Sequence, residues 1–179
     1  MAAPPPDLSI GEARRRIGAC ELSPVDLTEA FLGRIADRNE SLNVFRTVAG
    51  EQALEQAQRV DEAARRGDPL GPLAGIPVAI KDNIEVAGLP MTAATRHLAD
   101  NVARTDAPVW ERLREAGAVL LGKLHMSEWA IGATGQNVHY GPCRNAWDAG
   151  RVSGGSSAGS GVALAADMAM ATLGTDTGG

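Results

Sequence analysis

Cysteine is scarce. Cys20 and Cys143 are the only two in 179 residues and stand far apart, which excludes the disulfide framework of a small secreted domain and makes a reducing compartment the default. Together with His97, His125 and His139 they fall at no metal-ligand spacing, so no metal site is expected. Long apolar runs are lacking as well. The longest, Val162 to Leu173, is broken by Asp167 and falls short of the ~20 residues a membrane helix needs. Lys and Arg are scattered through a chain of net charge −5, and without a basic stripe no direct nucleic-acid binding is expected from this segment. Met1 to Pro6 carry neither a positive n-region nor an apolar h-region. Residues 1–7 therefore read as a disordered tail and not a signal peptide, and the chain as soluble and cytoplasmic. No internal repeat is present.

What is there reads as alternating helices and strands. Ser9 and Glu12 form a capping box ahead of a helix with Ile10, Ala13 and Ile17 on one face. Ser23 with Pro24 in the first turn opens a second helix, with Leu27, Ala30, Phe31 and Ile35 stacked, up to Asn39. Asn43 to Val48 reads as a strand, and Glu51 to Arg66 as a long helix ended by Gly67. Ile76 to Lys81 is a short apolar strand that ends on a lysine. Gly88 to Arg104 reads as loop. Thr105 or Asp106 caps a helix carrying Trp110 and Leu113, and Ala118 to Leu121 is a strand. Strand, helix, strand at this spacing predicts a parallel crossover. Met126 to Ile131 reads as a short helix, followed by loop from Gly132 to Asn145.

The chemistry concentrates at the end. Gly154-Gly155-Ser156-Ser157-Ala158-Gly159 is followed by an apolar run and then by Gly174-Thr175-Asp176-Thr177-Gly178-Gly179. A flexible linker would need neither Val162 to Ala166 behind it nor Asp176 among its glycines. Two such clusters joined by a core element suggest a site lined by main-chain donors and serine hydroxyls. Other readings compete with this one. Gly155 to Gly159 fits the Gly-x-Ser-x-Gly elbow, which would make Ser157 a nucleophile, but no strand precedes it and all three histidines come earlier in the chain. A phosphate cradle lacks the Gly-x-x-x-x-Gly-Lys or Gly-x-Gly-x-x-Gly pattern after a strand. Lys81, taken alone, would be solvated or salt-bridged, since lysine is rarely buried without a partner.

Ile80-Lys81-Asp82-Asn83, Gly154-Gly155-Ser156-Ser157 and Gly174 to Gly179 together resemble the amidase signature family. The likeness extends from about Leu8 onward, and three spaced motifs that agree are more specific than any one. The resemblance implies a three-layer α/β/α sandwich around a mixed, largely parallel sheet, with residues 8–179 as the N-terminal part of one domain. It implies an amidohydrolase without a cofactor that cleaves a small-molecule carboxamide, or the A subunit of a Gln-tRNA or Asn-tRNA amidotransferase, which acts with partner subunits. Lys81 would be the base and Ser156, after a cis peptide from Gly155, the relay. The attacking serine would follow Gly179, so the polypeptide as given is expected to be inert. Thr177, Gly178 and Gly179 would supply an oxyanion hole, and Gly155, Ser157, Ser160 and Asp176 would support the tight loops. Lys81 must then be neutral, which desolvation can achieve, and the Asp82 carboxylate must turn away toward backbone donors. The sequence departs from the family pattern at Ser153, usually proline, and at Ala158, usually glycine or serine.

Overall fold

The computed structural model describes residues 8–176. The tail expected over 1–7 and the oxyanion residues expected at Thr177, Gly178 and Gly179 lie outside the described residues.

Helix α1, Ile10–Gly18, starts at Ser9, whose hydroxyl accepts from the Glu12 N–H. The Glu12 carboxylate accepts from Arg15 instead of reaching back to its cap. Helix α2, Pro24–Leu42, begins at Ser23 with proline in its first turn and runs past Asn39 to a left-handed cap at Asn43. The Asn39 side chain accepts from the Val44 and Phe45 amides and so leads the chain directly into β1, Phe45–Val48. Helix α3, Gly50–Arg66, ends at left-handed Gly67 and buries Ala53 and Ala57. Small residues on that face let it lie close to its neighbours.

Strand β2, Pro77–Lys81, is buried along its whole length. Helix α4, Pro108–Glu115, follows, and here the expected cap is not used. Ala107 occupies the cap position without a side-chain bond, because Pro108 in the first turn needs no donor partner. Asp106 instead accepts from the Ala87 amide and pairs with Arg114. Strand β3, Val119–Leu124, extends three residues beyond the apolar run that marks it in the sequence. The segment expected as a short helix from Met126 is a single 3-10 turn, Glu128–Ala130, interrupted by left-handed Trp129. Helix α5, Ala158–Ala165, and strand β4, Ala171–Leu173, complete the described residues.

The sheet has the order β1-β3-β2-β4. Strand β2 runs parallel to both β3 and β4, and β1 is antiparallel to β3. This is the mixed, largely parallel sheet expected, with β2 and β3 joined through α4. Helices α2 and α3 pack on β3, and α5 packs on β4, β2 and β3. Gly159 makes the last contact possible: a Cβ there would lie 2.7 Å from the His125 amide and carbonyl. Both cysteines are free. No helix among the described residues is long and apolar enough to cross a membrane.

Candidate active site

The central strands deliver two lysines to one end of the sheet. In the β2–β3 register Ile80 pairs with Lys123 and Lys81 with Leu124. Side chains alternate along a strand, so the two amines leave the sheet on opposite faces. Both residues are fully buried.

On one face, Lys81 Nζ lies 2.7 Å from Ser156 Oγ, 2.9 Å from Thr175 Oγ1 and 3.1 Å from Thr175 O. The Asn83 side-chain amide donates to the same Thr175 hydroxyl at 3.0 Å. Burial pushes the Lys81 pKa below the ordinary lysine value, and the charge on Asp176 opposes that shift. The peptide between Gly155 and Ser156 is cis. A Cβ on Gly155 would lie 2.9 Å from Gly132 O, the Gly135 amide and Ser127 Oγ, so only glycine fits between Ser156 and the 127–135 loop. Ser127 fastens that loop: its amide donates to Ser156 O at 3.0 Å and its hydroxyl to Gly132 O at 3.1 Å.

Ser157 Oγ donates to Thr175 O at 3.0 Å and accepts from the Thr175 amide at 3.2 Å, joining the two glycine-rich clusters. Ser160 Oγ donates to Leu173 O. The elbow reading finds no support, since Ser157 is held by Thr175 and the chain before it makes only an isolated bridge, Val152 with Arg144.

On the other face, Lys123 Nζ is 3.1 Å from Asp82 Oδ1 and donates to Pro90 O at 3.1 Å. Asp82 Oδ2 accepts from the amide and the hydroxyl of Thr92. The carboxylate does turn from Lys81 toward a backbone donor, and it meets a second lysine there as well. Burial lowers the Lys123 pKa while Asp82 raises it.

Lys81, Ser156, Gly155, Ser157 and Thr175 are thus brought together. Thr175 in that group, Ser127 on the loop beside it and Lys123 on the opposite face carry no role in the sequence reading. Thr175 lies inside a quoted motif, where its hydroxyl is a visible acceptor. Lys123 follows an apolar run whose end looks like a strand end.

Among the described residues no group of three or more metal-ligating side chains forms. The groups that hydrogen-bond to Lys81 Nζ are two hydroxyls and a carbonyl, a set suited to moving a proton between an oxygen and an amine.

Comparison with known proteins gives the family and the fold. A family model described as Amidase matches residues 26–179. The A subunit of the glutamyl-tRNA(Gln) amidotransferase of Symbiobacterium thermophilum is 47% identical over 173 residues, covering 96% of this chain and 36% of that protein. The native peptide amidase of Stenotrophomonas maltophilia superposes with a TM-score of 0.84 at 36% identity, over 91% of this chain and 35% of the other. A bacterial aryl acylamidase of the amidase signature family gives a TM-score of 0.86 at 26% identity, over 90% and 34%. The chain spans about a third of the length of the curated relatives it matches, 36% and 34% for two of them.

Proposed function

The chain belongs to the amidase signature family, and from that premise we propose that it serves an enzyme that cleaves a carboxamide C–N bond through a serine, a cis-linked serine and a lysine. The observation that carries this reading is the 2.7 Å contact between Lys81 Nζ and Ser156 Oγ, within the reach a proton transfer requires.

A serine hydroxyl is a weak nucleophile until a base takes its proton. In this reading Lys81, held neutral by burial, accepts the Ser156 proton. Ser156 in turn accepts a proton from the attacking serine, which the family motif puts directly after Gly179. The serine oxygen bonds to the amide carbon, and the negative charge moves to the carbonyl oxygen. The backbone N–H groups of Thr177, Gly178 and Gly179 would stabilise that oxyanion. The relay then runs in reverse, from Lys81 through Ser156 to the departing nitrogen, and an amine or ammonia leaves. Water enters by the same route and releases the acid. Lys81 and Ser156 are catalytic residues here, while Ser157 and Thr175 hold the loops that present them.

The test uses a chain that carries the family serine after Gly179. Lys81→Ala and Ser156→Ala should each lower kcat/KM on carboxamides by about 10²–10⁴-fold, the range of general acid–base catalysis. Undiminished hydrolysis by Lys81→Ala removes the mechanism.

A second reading has its own support. Curated relatives at 47% and 48% identity are named as the A subunit of glutamyl-tRNA(Gln) amidotransferase. Under it the carboxamide is the side chain of glutamine, and the ammonia passes to a partner protein. Preferential ammonia release from glutamine over simple and aryl amides, in the presence of partner subunits, distinguishes it from a general amidase.

A further inference from the structure

The Lys123–Asp82 pair is fully buried and faces away from the reacting atoms, so the proposed mechanism gives it no part. A buried ion pair is weak support for stability, because desolvating two charges offsets most of their attraction. Its partners suggest a different use. Lys123 Nζ holds Pro90 O, and Asp82 holds the amide and hydroxyl of Thr92 and, through its own carbonyl, the amide of Ala93. The pair therefore fastens the returning loop 90–95 to the strand end that carries Lys81.

That loop carries the next contacts. Ala93 and Ala94 both sit in the left-handed region, at φ 46° and 51°, a conformation that non-glycine residues keep only where their surroundings hold them. Ala93 O accepts from the Trp129 amide at 3.0 Å, Ala94 O from Asn137 Nδ2 at 2.8 Å, and Thr95 Oγ1 donates to Glu128 at 2.7 Å. Trp129 and Ala130 are left-handed in turn, at φ 55° and 60°. Two residues earlier, the Ser127 amide donates to Ser156 O. A continuous bonded path thus runs from Lys123 to the peptide of Ser156.

We propose that Lys123 and Asp82 are positioning residues: their ion pair sets loop 90–95, and through it the 127–137 segment that abuts Gly155 and Ser156. The relevance to turnover rests on the reading of Lys81 and Ser156 given above, but the positioning itself does not. Such a path is a coupling only if disturbing one end is felt at the other.

Amide hydrogen exchange on the chain reads this directly. Lys123→Met combined with Asp82→Asn removes both charges together and avoids a stranded buried ion. The Trp129 and Ser127 amides should lose protection by about tenfold or more, as expected when charge-assisted hydrogen bonds are lost, while amides within β2 and β3 keep theirs. Thr92→Val, which removes the hydroxyl contact to Asp82 and the acceptor of the Ala94 amide, should produce a smaller loss at the same two amides, and Thr92→Ser should restore parental protection. Should the double variant fail to fold, this second pair of variants decides the matter. Unchanged protection at Trp129 and Ser127, or equal loss throughout the sheet, overturns the proposal. If the exchange pattern appears but Lys81→Ala leaves hydrolysis intact, the positioning stands and the catalytic reading falls.

Discussion

Lys81 and Lys123 sit one register step apart on neighbouring strands, both fully buried, yet they hydrogen-bond to different kinds of partner. Lys123 faces a carboxylate 3.1 Å away, which favours the ammonium form. Lys81 is bonded to three uncharged oxygens, of Ser156 and Thr175, which suit a neutral amine as well as a charged one. Burial lowers both pKa values and a carboxylate opposes the shift at each, Asp176 at Lys81 and Asp82 at Lys123. A carboxylate in hydrogen-bond contact favours the charged form more than uncharged oxygens do. The difference teaches that burial alone does not make a base. What matters is which oxygens meet the amine, and the alternation of a strand is enough to give two adjacent lysines different answers.

The strongest way to break the comparison is to remove each amine in turn. Lys123→Met strands the Asp82 carboxylate, and loss of one partner of a buried pair costs about 3–5 kcal/mol. Lys81→Met removes hydrogen bonds to uncharged oxygens and the attraction of Asp176, so at one near-neutral pH the loss should be smaller, about 1 kcal/mol. Urea unfolding of the two variants measures both. Equal losses would remove the contrast drawn between the two lysines.

The sequence makes some of this legible and hides the rest for identifiable reasons. Ser9, Ser23 with Pro24, and Gly67 mark helix ends through local chemistry, and the helices begin or end there. Asp106 carries the same cap signal, but Arg114 and the Ala87 amide compete for its carboxylate, and only the fold shows those competitors. The approach of Lys81 to Ser156 spans 75 residues of chain. Neither periodicity nor spacing contains it, and the expectation comes from resemblance to a family. Lys123 is hidden for a physical reason: a lysine that ends an apolar run reads as the point where a strand meets water, and the partner that allows its burial lies 41 residues earlier. The left-handed pairs Ala93–Ala94 and Trp129–Ala130 are equally hidden, because alanine and tryptophan give no turn signal.

A second measurement sharpens the contrast through pH. Burial depresses the Lys81 pKa in the folded state, while the unfolded chain titrates near the ordinary value of about 10.4. Between the two values the unfolded state holds an extra proton, so stability rises with pH by up to about 1.4 kcal/mol per unit. Above both values the gain is complete, and below both the full cost remains. Lys81→Met abolishes this part of the slope, whereas Lys123, whose pKa is also lowered by burial, contributes equally to parent and variant and cancels. Unfolding free energies across alkaline pH should therefore show the parent gaining on Lys81→Met as pH approaches about 10.4. Parallel profiles would mean that Lys81 titrates alike in both states.

The smallest effect reads the charge on Lys81 from its neighbour. Thr175→Val preserves shape but removes the hydroxyl that accepts from Lys81 at 2.9 Å and from Asn83 at 3.0 Å. A hydrogen bond between neutral groups contributes about 0.5–1.5 kcal/mol, and one to a charged group about 1.5–3 kcal/mol. With a neutral amine the two lost bonds should together cost about 2 kcal/mol at mildly alkaline pH, about 1 kcal/mol each, and Thr175→Ser should recover most of it. A loss approaching about 4 kcal/mol would identify an ammonium at that position. Lys81 would then be a second cation with no proton vacancy, and Ser156 would have nowhere to pass its hydrogen.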